Sequence, residues 1–303
     1  MMINTMSSEV KKAILPIAGL GTRFLPLSTI IPKEIWPVID KPALQFIIEE
    51  AKASGIEEII FVSNKQKKVI LDYFKDSPAS FASLKKILNN RKKIEAIDAL
   101  NELEELIKGL TFSSVSQDKP LGDGHAILQA LPRLRKEPVA VLFGDDIVES
   151  TAPCLRQLIN IYATCQRPVL ALYRLPKELL HSYGVVQVEK IANRVYKIKK
   201  IVEKPKPGEE PSDLAIVGKY ILTPEVFEFL KTAKPNEKQE IVLAETFDRM
   251  LQAGKSIYGY EFEGKWLECG NKMAWLKTDL YLTLQDSRYG EELKRFVRDN
   301  NLI

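Results

Sequence analysis

The chain has 303 residues, 45% of them hydrophobic and 28% charged, with a formal net charge of +4. This composition is that of a globular protein long enough for one large α/β domain or two smaller ones. Basic and acidic residues are interspersed, which argues against a nucleic-acid partner, and no apolar run approaches the ~20 residues that span a membrane.

Cysteine and histidine usage narrows the chemistry further. Three cysteines form no zinc motif, and their odd number argues against a disulfide framework. Two histidines, His125 and His181, leave little room for a histidine metal cluster or a catalytic triad. The segment 1–12 lacks the apolar core of a signal peptide. We therefore expect a cytoplasmic protein.

The first elements predict a βαβ unit. The apolar run 11–19 predicts a buried strand, and 57–64 predicts a second one. Between them, residues 41–55 have helical apolar spacing, a proline near the start and a glycine at the end. This order implies parallel strands with a right-handed crossover. The charge-rich stretch 66–109 predicts amphipathic helices packed on the sheet.

The pattern changes near the middle of the chain. Before it, strands are predicted at 110–117, 138–146 and 167–175, and helices at 124–134 and 152–165. After it, residues alternate as in antiparallel strands. The later predictions are strands at 183–190, 193–205, 214–222 and 256–264, and helices at about 224–232, 239–253, 272–286 and 289–300.

A glycine loop follows the first strand, at the sheet edge where open α/β folds bind ligands. Gly19 and Gly21 would let backbone N–H groups approach a phosphate closely. No GK[ST] follows, and Phe24 occupies the third glycine position of a dinucleotide fingerprint, so neither of those motifs is present. The glycines alone fit a structural turn equally well. Two basic residues after the glycines favour a phosphate site. The guanidinium of Arg23 can bind two phosphate oxygens at once, and the ammonium of Lys33 can act as a compact positive charge.

Five segments carry a family resemblance. They are "AGLGTRFLP", "IPKEIWPVIDKP", "GDGHAI", "VEKPKPGEEPSDLAIVGKYIL" and "ECGNK", in this order over nearly the whole chain. The chain resembles the bacterial UTP–glucose-1-phosphate uridylyltransferases (UDP-glucose pyrophosphorylases) of the sugar nucleotidyltransferase superfamily. Thymidylyl- and adenylyltransferases of that superfamily usually have a Gly-Gly pair where this chain has Ala18-Gly19.

The resemblance implies a fold, an organisation and partners. The expected fold is α/β, with a mixed, mainly parallel Rossmann-like sheet flanked by helices. We expect one domain, 1–303, with a nucleotide-binding part at about 11–175, a sugar-binding part at about 176–270 and C-terminal helices at about 271–303. The implied substrates are UTP and glucose 1-phosphate, the implied cofactor is Mg²⁺, and the implied assembly is a homodimer or homotetramer.

The implied reaction is attack by the sugar phosphate on the α-phosphorus of UTP. A phosphate monoester has a second pKa of about 6, so no general base is needed. The protein must supply alignment and charge neutralisation. By resemblance, Arg23, Lys33 and Lys204 hold the phosphates, and Asp145 and Glu268 hold the metal. Asp145 is also consistent with a turn former, and Glu268 stands where the family has aspartate.

Three other polar residues have different expected placements. Asp146 would point to the opposite face if its strand continued. Asp123 is expected to face solvent, and His125 is expected to be a packed or helix-capping residue.

Substrate contacts are also implied by the resemblance. The expected nucleotide-binding residues are Ala18, Gly19, Gly21, Thr22, Gln117 and Gly122. The expected sugar-binding residues are Tyr183, Gly184, Glu203 and Gly218, the glycines making room for the hexose.

Two alternatives remain open at this point. One is a thymidylyltransferase that uses another hexose 1-phosphate. The other is a non-catalytic regulatory paralogue, which the departures at Asp123, Glu268 and 240–246 would mark. Lys33 and Asp145, both present, favour an enzyme.

Overall fold

The computed structural model describes residues 9–76 and 78–302. Most of the segment examined for a signal peptide, residues 1–8, lies outside this range. The strands are β1 (Lys12–Pro16), β2 (Pro37–Val38), β3 (Lys41–Pro42), β4 (Glu58–Ser63), β5 (Thr111–Ser116), β6 (Val139–Leu142), β7 (Asp146–Glu149), β8 (Val169–Arg174), β9 (Gly184–Ala192), β10 (Val195–Glu203), β11 (Leu214–Leu222), β12 (Tyr258–Glu261) and β13 (Lys265–Glu268).

The helices follow the predicted order. They are α1 (Ala43–Ala53), α2 (Lys68–Leu71), α3 (Pro78–Asn90), α4 (Ile94–Ile107), α5 (Asp123–Gln129), α6 (Cys154–Cys165), α7 (Lys177–Leu180), α8 (Pro224–Lys231), α9 (Leu243–Gln252), α10 (Lys272–Gln285) and α11 (Gly290–Asp299). Within the described ranges, no helix combines the length and the apolar character needed to cross a bilayer.

Nine of the described strands form one mixed sheet, in the order β5-β4-β1-β6-β11-β8-β12-β10-β9. The four strands at the β5 edge pair in parallel, as the βαβ pattern predicts. Beyond them the pairings are antiparallel except between β8 and β12. The predicted mixed α/β fold is confirmed, but only four of the eight neighbouring strand pairs in this sheet are parallel, three of them at the β5 edge, so the described sheet is not mainly parallel.

Both faces of the central strands are covered, which explains their continuous apolar sequences. Along β1, Ala13 and Leu15 join one buried cluster with α1 and α6, while Ile14 joins the other with α5, α8 and α9. This alternation is the two-residue period of a strand packed between two helical layers. The parallel pairing of β1 with β6 places their carboxyl ends side by side, and the loops that follow these two strands meet there.

Three predicted boundaries are corrected. The strand predicted at 138–146 ends at Leu142, and Asp146 opens the separate strand β7, which pairs antiparallel with β13. The helix predicted at 239–253 begins at Leu243, because Ile241 instead exchanges backbone hydrogen bonds with Leu121 and Gly124. The helix predicted at 124–134 ends at Gln129, followed by a 3₁₀ turn.

Candidate active site

Asp145 lies in the turn between β6 and β7 and pairs with Lys33, which belongs to the loop after the neighbouring strand β1. Burial alone would lower the pKa of Lys33, but the charges of Asp145 and Glu34 outweigh it, and this pKa is raised. Burial would likewise raise the pKa of Asp145, but Lys33 and then Arg23 hold it below its usual value. The site therefore contains an ionised carboxylate and a lysine cation at neutral pH.

A second carboxylate converges on Asp145. A Cβ built on Gly270 would lie 2.8 Å from Glu268 Oε1 and 3.0 Å from Asp145 Oδ2. The hydroxyl of Tyr183 donates to Glu268 Oε2 at 2.7 Å. Arg23 Nη1 donates to the Gly270 carbonyl at 3.5 Å, so the guanidinium lies at the edge of the space beside Gly270. Glycine at position 270 leaves open a space that two carboxylates face.

This donor set fits Mg²⁺, which takes one or two carboxylates and completes its octahedron with phosphate oxygens and water. Among the described residues, no group of three or more His, Cys, Asp or Glu side chains is arranged to hold a metal ion. Asp145 and Glu268 thus suit an ion that arrives with a phosphate ligand rather than one enclosed by protein.

Asp146 is buried beside the space that Asp145 and Glu268 face, here called the metal cradle. It does not point away from this space. Its carboxylate accepts hydrogen bonds from Trp266 Nε1 at 2.8 Å and from the Gly218 amide at 3.1 Å. Burial and the neighbouring charge of Asp145 raise its pKa to about 7. A Cβ on Gly218 would lie 2.2 Å from Asp146 Oδ2. Glycine at 218 therefore makes room for this carboxylate, and its backbone also lines the neighbouring acidic cavity described below.

A cavity of about 330 Å³, here called the glycine-loop cavity, lies beside the carboxyl end of β1. Gln117 lies in its wall, with Nε2 donating to the Gly122 carbonyl at 3.0 Å and lying 2.9 Å from His125 Nδ1. Within the described chain, Gln117 Oε1 accepts no protein hydrogen bond and stays available to a ligand. The predicted residues that line this cavity are Ala18, Gly19, Lys33, Gln117, Gly122 and Asp145.

Two predicted nucleotide-binding residues do not line that cavity. Gly21 has φ +64° and precedes the 3₁₀ turn that begins at Thr22, and a Cβ on it would lie 3.2 Å from Ser28 Cβ. Its left-handed backbone makes the loop reverse. The Thr22 side chain is exposed. These two residues shape the loop around the cavity.

A neighbouring cavity of about 250 Å³, here called the acidic cavity, lies between β9, β10 and β11. The Lys204 amide donates to the Tyr183 carbonyl at 3.0 Å, and its ammonium lies 3.6 Å from Glu203. A Cβ on Gly184 would come within 3.0 Å of Glu203 Oε2. The charged and predicted residues around this cavity are Arg23, Asp123, Asp145, Asp146, Tyr183, Gly184, Glu203, Lys204, Gly218 and Glu268.

The expectation that Asp123 faces solvent is wrong. Its carboxylate lines both cavities, and Oδ1 accepts hydrogen bonds from the Gly124 amide at 2.7 Å and the Leu243 amide at 3.0 Å. Burial raises its pKa to about 6. This placement could not be predicted from the sequence, because the partner amide belongs to Leu243 at the start of α9, far along the chain.

Two buried ion pairs behind the site were also missed. Lys219, on β11, is fully buried and lies 2.8 Å from Glu50 of α1. Lys67 is bound by both carboxylate oxygens of Glu34 at 2.8 Å, next to Lys33. A lysine inside the otherwise apolar strand "LAIVGKYIL" was the available signal, since a charge is rarely buried without a partner.

Known proteins share this chain's sequence and fold. Residues 12–283 match the family described as nucleotidyl transferase. A UTP–glucose-1-phosphate uridylyltransferase from Staphylococcus haemolyticus is 39% identical over 298 residues, covering 96% of this chain and 98% of the relative. A UTP-bound UGPase from Acinetobacter baumannii aligns with TM-score 0.84 and 33% identity over 95% of this chain and 99% of that structure.

A further solved structure, a UDP-glucose pyrophosphorylase complexed with UDP-glucose, aligns with TM-score 0.82 and 34% identity. It is covered completely and spans 92% of this chain. The similarity therefore extends over both cavities and the helices that support them, and the chain belongs to the nucleotidyl transferase family, among its UTP–glucose-1-phosphate uridylyltransferases.

Proposed function

We propose that this chain transfers the uridylyl group of UTP to glucose 1-phosphate, giving UDP-glucose and pyrophosphate. One observation carries the proposal. Asp145, paired with Lys33 and converging with Glu268, lies in the wall shared by the glycine-loop cavity and the acidic cavity. A nucleotide and a sugar phosphate held in these two cavities would bring their phosphates together at this point.

Three cationic side chains would each neutralise a different phosphate group. Lys33 faces the glycine-loop cavity, where it would neutralise the triphosphate, and Lys204 lies in the acidic cavity, where it would hold the sugar phosphate. Arg23 lies beside Gly270, where its fork would bind the oxygens of the reacting phosphorus. These charges stabilise the extra negative charge of the transition state.

The bond changes need no base from the protein. An ionised phosphate oxygen of glucose 1-phosphate forms the new bond to the α-phosphorus of UTP, while the bond from that phosphorus to the bridging oxygen of pyrophosphate breaks. The residues align the two reactants in line, which turns a bimolecular step into a unimolecular one. When bound at Asp145 and Glu268, Mg²⁺ would supply further neutralisation of the triphosphate charge.

Base and sugar recognition follow from the two cavities. We assign the uracil to the Gln117 carboxamide and the backbone of Ala18, Gly19 and Gly122, because Gln117 Oε1 is an acceptor suited to an imide N–H. Gly21 and Thr22 act through the shape of the loop. The hexose is assigned to the acidic cavity, with the Glu203 carboxylate accepting from its hydroxyls. Tyr183, Gly184 and Gly218 complete its wall.

We extend the proposal to the organisation of the protein. The continuous sheet from β5 to β9 supports one nucleotidyltransferase domain over 1–303. The cysteines Cys154, Cys165 and Cys269 are unpaired, which suits a cytoplasmic enzyme in a reducing compartment. A homodimer or homotetramer is proposed from the family resemblance.

The test is pyrophosphate release from purified protein with Mg²⁺ and glucose 1-phosphate, with UTP, dTTP, ATP, CTP and GTP run in parallel. We expect UTP to dominate. Preference for dTTP would replace this proposal with a thymidylyltransferase. No release with any nucleotide, from protein that unfolds cooperatively, would favour the regulatory paralogue.

A further inference from the structure

Asp123 holds an unusual position between the two cavities. The chain places it at the first residue of α5, next to the backbone contact between 121–124 and 241–243. The Ile241 amide donates to the Leu121 carbonyl at 2.8 Å, and the Ile241 carbonyl accepts from the Gly124 amide at 2.9 Å. The Asp123 carboxylate extends this contact by accepting a hydrogen bond from the Leu243 amide. Its position is therefore fixed by neighbours on two elements.

Only one of its two oxygens is used in this contact. The hydrogen bonds from the Gly124 and Leu243 amides both reach Oδ1. Asp123 lines the acidic cavity, and an ionised carboxylate can accept further hydrogen bonds at its second oxygen. A rigid, partly buried acceptor of this kind suits a hydroxyl or another donor on a bound ligand.

The charge of the cavity sets which ligands it favours. Arg23 and Lys204 are the cations at its wall, and both would be matched by phosphate groups. Asp145 and Glu268 face the metal cradle. The remaining anions include Asp123 and Glu203. The negative charge of Glu203 contributes to raising the pKa of Asp123. Asp146, the other anion in this wall, is already held by Trp266 Nε1 and the Gly218 amide, which leaves Asp123 and Glu203 for the sugar ring.

We infer that Asp123 is a sugar-selecting residue, which with Glu203 favours hexose 1-phosphates that present hydroxyl donors and disfavours those that carry a second anionic group on the ring. The inference rests on the proposed function and adds a substrate class to it. A ring hydroxyl donates to Oδ2, whereas a ring carboxylate would be placed against two anions with no cation left to pair it.

The expected discrimination is large for one residue. A hydrogen bond to a charged group contributes enough to change a specificity constant by about tenfold, and an unpaired like-charge contact adds to this. We therefore expect the specificity constant of the protein to be at least ~10²-fold lower for glucuronic acid 1-phosphate than for glucose 1-phosphate. These two compounds differ only at C6, so phosphate ionisation affects them alike.

The experiment measures the ratio of kcat/KM for glucose 1-phosphate to that for glucuronic acid 1-phosphate, at saturating UTP and pH 8. It compares the wild type with Asp123→Asn. The asparagine Oδ1 can still accept from Gly124 and Leu243, so the fold is expected to persist, and its Nδ2 would replace the free oxygen with a donor. We expect the ratio to fall by at least ~10-fold.

The control variant is Glu245→Gln, which removes a carboxylate from the exposed first turn of α9, outside the acidic cavity. Its ratio should equal that of the wild type. A purely structural role for Asp123 would lower both specificity constants together and leave the ratio unchanged, which would overturn the inference alone. No turnover by the wild type with either sugar would refute the proposed function, and the inference with it.

Discussion

Removing the ammonium of Lys219 is expected to destabilise the protein strongly. Lys219 is 0% exposed and its partner Glu50 8%, with 2.8 Å between Nζ and Oε2. Lys219→Met fills similar space but leaves the Glu50 carboxylate buried with the Leu155 amide as its remaining hydrogen-bond donor. Breaking a buried pair in this way costs about 3–5 kcal/mol of unfolding free energy, a large part of the 5–15 kcal/mol of a typical domain.

The magnitude is best measured as a coupling. Glu50→Gln keeps an acceptor for Leu155 and removes the buried negative charge, so the double variant with Lys219→Met leaves neither charge unpaired. We expect it to be at least ~2 kcal/mol more stable than the sum of the single losses predicts. Urea unfolding followed by circular dichroism gives each free energy from its midpoint and slope.

An exposed lysine provides the matched control. Lys231 is 45% exposed and pairs with Glu228, which is 67% exposed, across one turn of α8. Lys231→Met should change the unfolding free energy by less than about 0.5 kcal/mol, because solvent screens such pairs. A loss below about 1 kcal/mol for Lys219→Met, or additive single losses, would refute the account of the buried pair.

Three other predictions concern the site. Lys33→Ala should lower kcat at least ~10²-fold, because it removes a charge from the transition state, measured as pyrophosphate release. Gly218→Ala should lower the unfolding free energy by about 1–3 kcal/mol, because its Cβ would lie 2.2 Å from Asp146 Oδ2. The pKa of Asp123, raised to about 6 by burial and then by Glu203, should make the wild type lose on the order of 2 kcal/mol relative to Asp123→Asn between pH 4 and pH 7.

The sign of the last prediction follows from proton binding. The folded state holds the Asp123 proton up to about pH 6, whereas the unfolded chain releases it near its ordinary value of 3.8. The contribution to stability is complete below the unfolded pKa and is lost as the pH rises through the folded one. A constant difference between the two proteins across this range would contradict it. Near-normal turnover by folded Lys33→Ala, or an unchanged urea midpoint for Gly218→Ala, would contradict the other two.

Local patterns predicted most of the architecture. The apolar run of β1 and the helical apolar spacing of α1, with a proline near its start and a glycine after its end, are patterns within a few residues, so the order and type of the main elements could be inferred. The short strands β7 and β13 were missed because four residues carry little periodic signal. Their pairing depends on contact between distant segments.

The surroundings of the charged residues depended on a different kind of information from the order of the elements. Lys33 and Asp145 were proposed mostly because they lie in motifs that resemble the family, with support from the position of Asp145 at the end of a predicted strand. Asp123 and Lys219 acquire their environments from Leu243 and Glu50, which lie far away in sequence. A single sequence contains the charges but not their pairing.

The ribbon formed by β7 and β13 has a consequence for when the protein becomes competent. It sets Asp146 opposite Glu268, and the Cys269 amide donates to the Asp145 carbonyl at 2.7 Å. Asp145 and Glu268, which we propose as metal ligands, thus come together only after a late segment of the chain has docked on an early one. A ribosome-bound chain that has released only its first half would contain Lys33 and Asp145 without Glu268. The site as proposed is therefore complete only when residues 265–268 have paired with residues 146–149.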